Sequence, residues 1–248
     1  MTKLKVAFFD FTGCEGCQLN KLNFEKDLLD ILELVEIVEF REAMDNHADQ
    51  YDIAFIEGSI STPLCVERIQ DIRHRTKILV ALGACAVSGG INAMKNLYPL
   101  DWVKETVYGK HKHLFPSIPV QPVSAIVKVD YEVRGCPMST PEYLHIFKSL
   151  ALGREPEIID YSVCVECKQR ENECVLDLGM FCLGPITRAG CNAICPSNGQ
   201  YCTGCRGFVP DLNKNGAIDM LKLHNLSTSQ AIKRMKMFCA NEIDLDRK

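Results

Sequence analysis

The distribution of cysteine constrains this chain more than any other feature. Fourteen of its 248 residues are cysteines, at positions 14, 17, 65, 85, 136, 164, 167, 174, 182, 191, 195, 202, 205 and 239. They are scattered before residue 140 and dense between 164 and 205, an asymmetry that predicts two domains, 1–155 and 156–248. Met1 is followed within three residues by a strand-like run, Leu4 to Phe9, with no cationic leader, no apolar signal core and no twin-arginine pair. The expected compartment is therefore the cytoplasm, where thiols stay reduced. So much cysteine then argues for metal binding or catalysis and against disulfides.

The first 150 residues alternate short apolar runs with helical stripes. Val6-Ala7-Phe8-Phe9 ends in Asp10-Phe11-Thr12-Gly13, and the segment 19–34 places Leu22, Leu28, Leu29 and Leu32 on one helical face. Val35-Glu36-Ile37-Val38-Glu39-Phe40 alternates as a half-buried edge strand does. Ile53-Ala54-Phe55-Ile56 closes on Glu57-Gly58, and Ile78-Leu79-Val80-Ala81-Leu82 closes on Gly83. Strands alternating with helices predict an α/β fold with a doubly wound parallel sheet, whose ligand site lies beyond the carboxyl ends of the strands. Cys14 and Cys17, Glu57-Gly58-Ser59 and Gly83-Ala84-Cys85 all fall at such ends. Arg134-Gly135-Cys136-Pro137, after the apolar stretch 124–129, is a fourth candidate, since glycine and proline let the backbone approach a bulky ligand and then turn away.

From about residue 155 periodicity fades, Pro, Gly and Cys become frequent, and the next long helix is expected only at about 229–238. The stretch 213–224 is too weakly amphipathic to assign. Such a segment cannot build an apolar core of normal size and needs metal staples. It contains Cys164-Val-Glu-Cys167, Cys174, Cys182, Cys191-Asn-Ala-Ile-Cys195-Pro196 and Cys202-Thr-Gly-Cys205, eight cysteines that make two sets of four. Two residues between paired cysteines let both thiolates point into one loop, and cysteine followed by proline closes the bacterial ferredoxin run. A pair of four-cysteine zinc sites would share this spacing. All six histidines lie outside 160–208, however, and zinc leaves the N-terminal cysteines unexplained. Cys14, Cys17, Cys85 and Cys136, weak singly, describe together a four-cornered arrangement that fits a cubane. Cys65 and Cys239 have no partner spacing and read as ordinary thiols.

The formal net charge is −4 and no run of five or six like charges occurs. This excludes the basic footprint of a nucleic-acid or anionic-membrane binder. No apolar stretch approaches the roughly 18 to 20 residues that span a bilayer. The expected partners are proteins, with no direct membrane insertion.

Thr12-Gly13-Cys14-Glu15-Gly16-Cys17, Glu57-Gly58-Ser59-Ile60, Gly83-Ala84-Cys85-Ala86, Gly135-Cys136-Pro137 and the run from Cys182-Leu183-Gly184-Pro185 through Ala189-Gly190-Cys191 to Cys205-Arg206-Gly207 resemble the small, electron-transfer subunit of cytosolic nickel-iron hydrogenases. The resemblance covers nearly the whole chain. It implies a flavodoxin-like N-terminal domain followed by a small irregular, ferredoxin-like domain stapled by clusters. It also implies three 4Fe-4S clusters: a proximal one on Cys14, Cys17, Cys85 and Cys136, a medial one on Cys191, Cys195, Cys202 and Cys205, and a distal one on Cys164, Cys167, Cys174 and Cys182. The nickel-iron centre would lie in a partner large subunit, so this chain would contribute to an oxidoreductase without holding its catalytic metal. A flavin- or iron-sulfur-containing acceptor subunit would complete the heteromeric complex.

Periplasmic members differ by a distal histidine ligand, a proline at the medial cluster and a twin-arginine leader, and single-cluster relatives lack the block at 164–205. Glu15, beside the proximal ligands, is a candidate for a proton route, against the plainer role of a solvated or backbone-capping carboxylate. The competing function is an iron-sulfur relay or adaptor in a redox complex without hydrogen chemistry. Copurification with a nickel-containing partner discriminates the two.

Overall fold

The structure, a computed structural model, describes residues 3–22, 31–45 and 47–242. Five strands, β1 (Leu4–Asp10), β2 (Val35–Phe40), β3 (Tyr51–Glu57), β4 (Thr76–Leu82) and β5 (Tyr131–Val133), form one sheet in the order β2-β1-β3-β4-β5. Every adjacent pair is parallel. β1, β3 and β4 are apolar along nearly their whole length because both faces are covered. On one face Phe8, Phe55, Val80 and Leu82 pack against Tyr143, Ile146, Phe147 and Leu150. On the other, Phe9, Ala54, Ile56 and Leu79 pack against Ile69 and Ile72. The expected α/β doubly wound fold is the observed one, and β2 is an edge strand, as its alternation predicts. Its register against β1 slips between Val6 and Ala7.

The connections include the helices α1 (Gly16–Leu22), α2 (Pro63–His74), α3 (Gly83–Ser88), α4 (Leu100–Tyr108), α5 (Thr140–Ala151), α6 (Val163–Gln169), α7 (Ile194–Ser197), α8 (Lys214–Leu223) and α9 (Thr228–Cys239). The helical stripe expected over 19–34 begins earlier, at Gly16, and its Leu28 and Leu29 lie outside the described residues. The apolar stretch 124–129 is not a strand. It opens as a single tight turn at Val123–Ala125 and seats Ile126, Val127 and Val129 on the second core. β5 starts only at Tyr131, after Asp130 has accepted the Leu79 N–H at 2.9 Å and paired with Arg73.

The C-terminal half has a small core of its own, in which Val163, Val175, Leu176, Phe181, Leu183 and Ile186 pack with the ligand candidates Cys182 and Cys202. The unassigned stretch 213–224 contains α8, whose first turn is closed by Asn213 accepting the Gly216 N–H at 2.8 Å. α9 returns to the sheet domain: Ser88 Oγ donates to Phe238 O at 2.9 Å, and Asn241 Nδ2 donates to Ser88 O at 3.1 Å.

Candidate metal centres

At the carboxyl edge of the sheet, the chain leaves β1 through Phe11 and Thr12, whose N–H groups donate to Glu57 O and Ser59 O, and enters α1 at Gly16. Glu57, the last residue of β3 and buried, accepts the Cys17 N–H at 3.0 Å and the Gln18 N–H at 2.6 Å. A carboxylate held by two N–H groups at a helix start is satisfied despite its burial, and it fixes the turn that presents Cys17. Cys85 lies in the first turn of α3, and Cys136 follows β5 across a cis peptide bond to Pro137. Ala84 N donates to Gly135 O at 2.7 Å, tying these two loops together.

Gly83, at φ +77°, leaves room for Cys17: a Cβ there would run into the Cys17 Sγ. Met138 N donates to that sulfur at 3.4 Å, and Asn92 Nδ2, anchored on Thr12 O and Ser59 Oγ, reaches Cys85 Sγ at 3.8 Å. Burial pushes the Cys85 thiol up to about 12, with the charges of Cys136, Cys14 and Glu57 adding to it. Burial raises Cys136 as well, helped by Cys205 and Cys14. The structure thus brings Cys14, Cys17, Cys85 and Cys136 to one edge, with Cys14 and Cys136 exposed.

In the C-terminal half, α6 carries Cys164 and Cys167 one turn apart, and Cys174 and Cys182 follow on loops. Burial pushes Cys164 up to about 12, with Cys182, Cys167 and Cys174 adding to it. Cys182 Sγ accepts the N–H groups of Gly184 and Cys202, both at 3.4 Å. Asn172 Nδ2 reaches Cys167 Sγ at 3.6 Å and Ser197 Oγ at 3.0 Å.

Cys191, Cys195, Cys202 and Cys205 line a single cavity of about 540 Å³, and Cys136 and Arg206 stand in its wall. Burial drives Cys202 up to about 12 and raises Cys191, Cys195 and Cys205. Cys182 adds to the shifts at Cys195 and Cys202, as Cys205 does at Cys136. The set at 191–205 adjoins the sheet-edge set through Cys136 in its cavity wall and the set at 164–182 through the Cys202 N–H on Cys182 sulfur.

Four charged groups, Glu166, Arg206, Glu142 and Arg134, support these sites without being ligands. Among the residues between the paired ligands, Lys168, Gln169, Arg170, Glu171 and Glu173 are exposed. Glu166, from the same polar run, is buried. It accepts the Gly190 N–H at 2.8 Å and the Ala193 N–H at 3.0 Å, and its Oε2 lies 3.9 Å from Cys191 Sγ. Arg206 is buried against Glu142 at 2.8 Å, and Arg134 joins Arg206 O at 3.1 Å.

Cys65 is half-buried on α2, its sulfur taking the Thr62 hydroxyl at 3.1 Å, and Cys239 is buried at the end of α9 beside Gly204 O, packed against Cys205 of the set at 191–205. Glu15, at φ +60°, is raised by the neighbouring Glu42 carboxylate, and its carbonyl accepts the Leu19 N–H at 3.0 Å, the first bond of α1.

Among the described residues no three His, Cys, Asp or Glu side chains form a grip for a single metal ion. The donor chemistry fits iron-sulfur clusters: four thiols to a set, no histidine, and backbone N–H groups directed at Cys17 and Cys182 sulfur. Burial holds most of these thiols protonated, so metal uptake would displace their protons.

The family described as NADH ubiquinone oxidoreductase, 20 Kd subunit, matches residues 14–150. The chain is 40% identical to sulfhydrogenase 2 subunit delta of Pyrococcus furiosus, over 88% of this chain and 92% of that protein. It is 32% identical to one subunit of the F420-non-reducing hydrogenase vhu of Methanococcus voltae, over 87% and 86%. Among solved structures, a chain of an NAD+-reducing nickel-iron hydrogenase in its H2-reduced state superposes with a TM-score of 0.56 at 30% identity, covering 63% of this chain and 95% of that one.

Proposed function

Because this chain belongs to the NADH ubiquinone oxidoreductase 20 Kd subunit family, as a nickel-iron hydrogenase small subunit, we propose that it relays electrons through three 4Fe-4S clusters between the large-subunit nickel-iron site and a further redox subunit. The observation that supports the reading is the succession of three cysteine sets, the middle one meeting the first at Cys136, which stands in the wall of its cavity, and the last at Cys182, whose sulfur accepts the Cys202 N–H at 3.4 Å. Cys14, Cys17, Cys85 and Cys136 hold the proximal cluster, Cys191, Cys195, Cys202 and Cys205 the medial, and Cys164, Cys167, Cys174 and Cys182 the distal. When bound, each cluster takes up and gives up one electron at a time.

The chain's own residues position and tune. Glu57 fixes the start of α1 behind Cys17, and Glu166 fixes the turn that presents Cys191. The N–H groups of Met138, Gly184 and Cys202 direct positive dipoles at ligand sulfur, which favours the more negative, reduced state. Residues 1–155 form the proximal-cluster unit and 156–248 the unit of the other two.

The exposed residues Cys14 and Cys136 suit a close approach by the large subunit. The charged surface of Lys168, Arg170, Glu171 and Glu173 suits a weaker, more polar contact with a flavin- or iron-sulfur-containing acceptor. Among the described residues no helix is long and apolar enough to cross a membrane, and we place the complex in the cytoplasm.

Anaerobic metal and sulfide analysis tests this directly. About twelve iron and about twelve acid-labile sulfide per chain are expected, three cubanes on twelve thiolates. Stoichiometric zinc with little iron would overturn the reading.

A further inference from the structure

We propose that Arg206 is a positioning residue that locks the medial ligand set to the Cys136 loop and, as a buried cation in the wall of the medial cavity, raises the reduction potential of the group bound there. The proposal rests on the cluster reading above and extends it to a residue that ligates nothing.

The side chain is 1% exposed and each of its three nitrogens donates. Nε donates to Ala189 O at 2.8 Å and Arg188 O at 3.2 Å, one Nη to Arg134 O at 2.5 Å, and the other to Glu142 Oε1 at 2.8 Å. These acceptors lie on the approaches to two ligand loops: 188–189 leads into Cys191, and Arg134 leads into Cys136. Arg206 itself follows Cys205. One planar group thus spans three ligand-bearing segments, a span that a flexible ammonium with three donors on one nitrogen cannot reproduce.

The space is made for it. Gly190, at φ +110°, would meet the guanidinium with any Cβ, which would stand 3.0 Å from its central carbon. Arg134 returns the contact by donating to Arg206 O at 3.1 Å and pairs with Glu132 at 2.6 Å.

The electrostatic part follows from position. Arg206 lines the same cavity as Cys191, Cys195, Cys202 and Cys205. One-electron reduction adds a negative charge there without making or breaking a bond, and a cation held away from water favours that state. Glu142 opposes it as the buried counter-charge, and Glu166 adds a second carboxylate on the Cys191 side. The two members of the pair should therefore act with opposite signs.

The test is an anaerobic redox titration followed by electron paramagnetic resonance, on the assembled complex carrying Arg206→Gln, Arg206→Lys or Glu142→Gln. Arg206→Gln is expected to lower the medial midpoint potential and Glu142→Gln to raise it. Arg206→Lys should keep the potential near the parent's while lowering the melting temperature. The distal signal in each sample should stay put as an internal reference.

Shifts of the same sign in the two glutamine variants, no shift in either, an equal distal shift, or a lysine variant that moves as far as glutamine would overturn the proposal. Where Arg206→Gln fails to assemble, Glu142→Gln decides alone: a rise supports the assignment, and no change or a fall removes it. A parent complex without iron would instead sink the cluster reading, so the two failures are distinguishable.

Discussion

Glu166 shows how much a single buried carboxylate does at a ligand loop. Its two oxygens take the N–H groups of Gly190 and Ala193, the latter in the left-handed region at φ +47°, so it holds the turn between Cys191 and Cys195. Glu166→Ala leaves two buried donors unpaired and is expected to cost about 2 kcal/mol in denaturant unfolding. About a third of the iron should go with it, read by metal analysis, whereas Glu166→Gln keeps one acceptor and should lose less. Cys65→Ser and Cys239→Ser are expected to leave iron content at the parent level; loss of a whole cluster from either would break the grouping of the other twelve. The ligand candidates were legible because paired spacing and strand-end position are local properties of the chain. Glu166, Arg206 and Glu142 were not, because each is a lone charge whose burial depends on segments 24, 64 or 72 residues away.

At the scale of elements, the start of α1 depends on the end of β3. Glu57→Ala removes the acceptor of the Cys17 and Gln18 N–H groups and is expected to destabilise the chain by about 2 kcal/mol. The proximal signal should weaken in electron paramagnetic resonance while the other two remain. Asn213→Ala, which takes away the cap of α8, should cost about 1 kcal/mol in thermal unfolding with no change in iron. The sheet itself was readable, since strands buried on both faces are continuous apolar runs and the edge strand alternates. The apolar stretch 124–129 carries no element assignment in the sequence, because a short apolar run suits a buried strand and a loop packed on the core alike. The helix α8 escaped assignment because its inward face is covered by Leu221, Met220 and Ala217 only in part, giving a weak stripe.

For the whole molecule, the order of the three sets sets the expected kinetics. In the assembled complex, Cys167→Ser is expected to slow delivery to the external acceptor while sparing hydrogen-isotope exchange at the partner's metal. Equal loss of both activities in an intact complex would reverse or scramble the order. The wall shared by Cys136 and Arg206 bears on biogenesis as well. A nascent chain that has cleared the ribosome only to residue 155 already carries all four thiols of the sheet edge, yet the guanidinium that anchors the Cys136 loop is still untranslated. The loop that presents Cys136 therefore gains its guanidinium anchor only once the chain has been translated through Arg206.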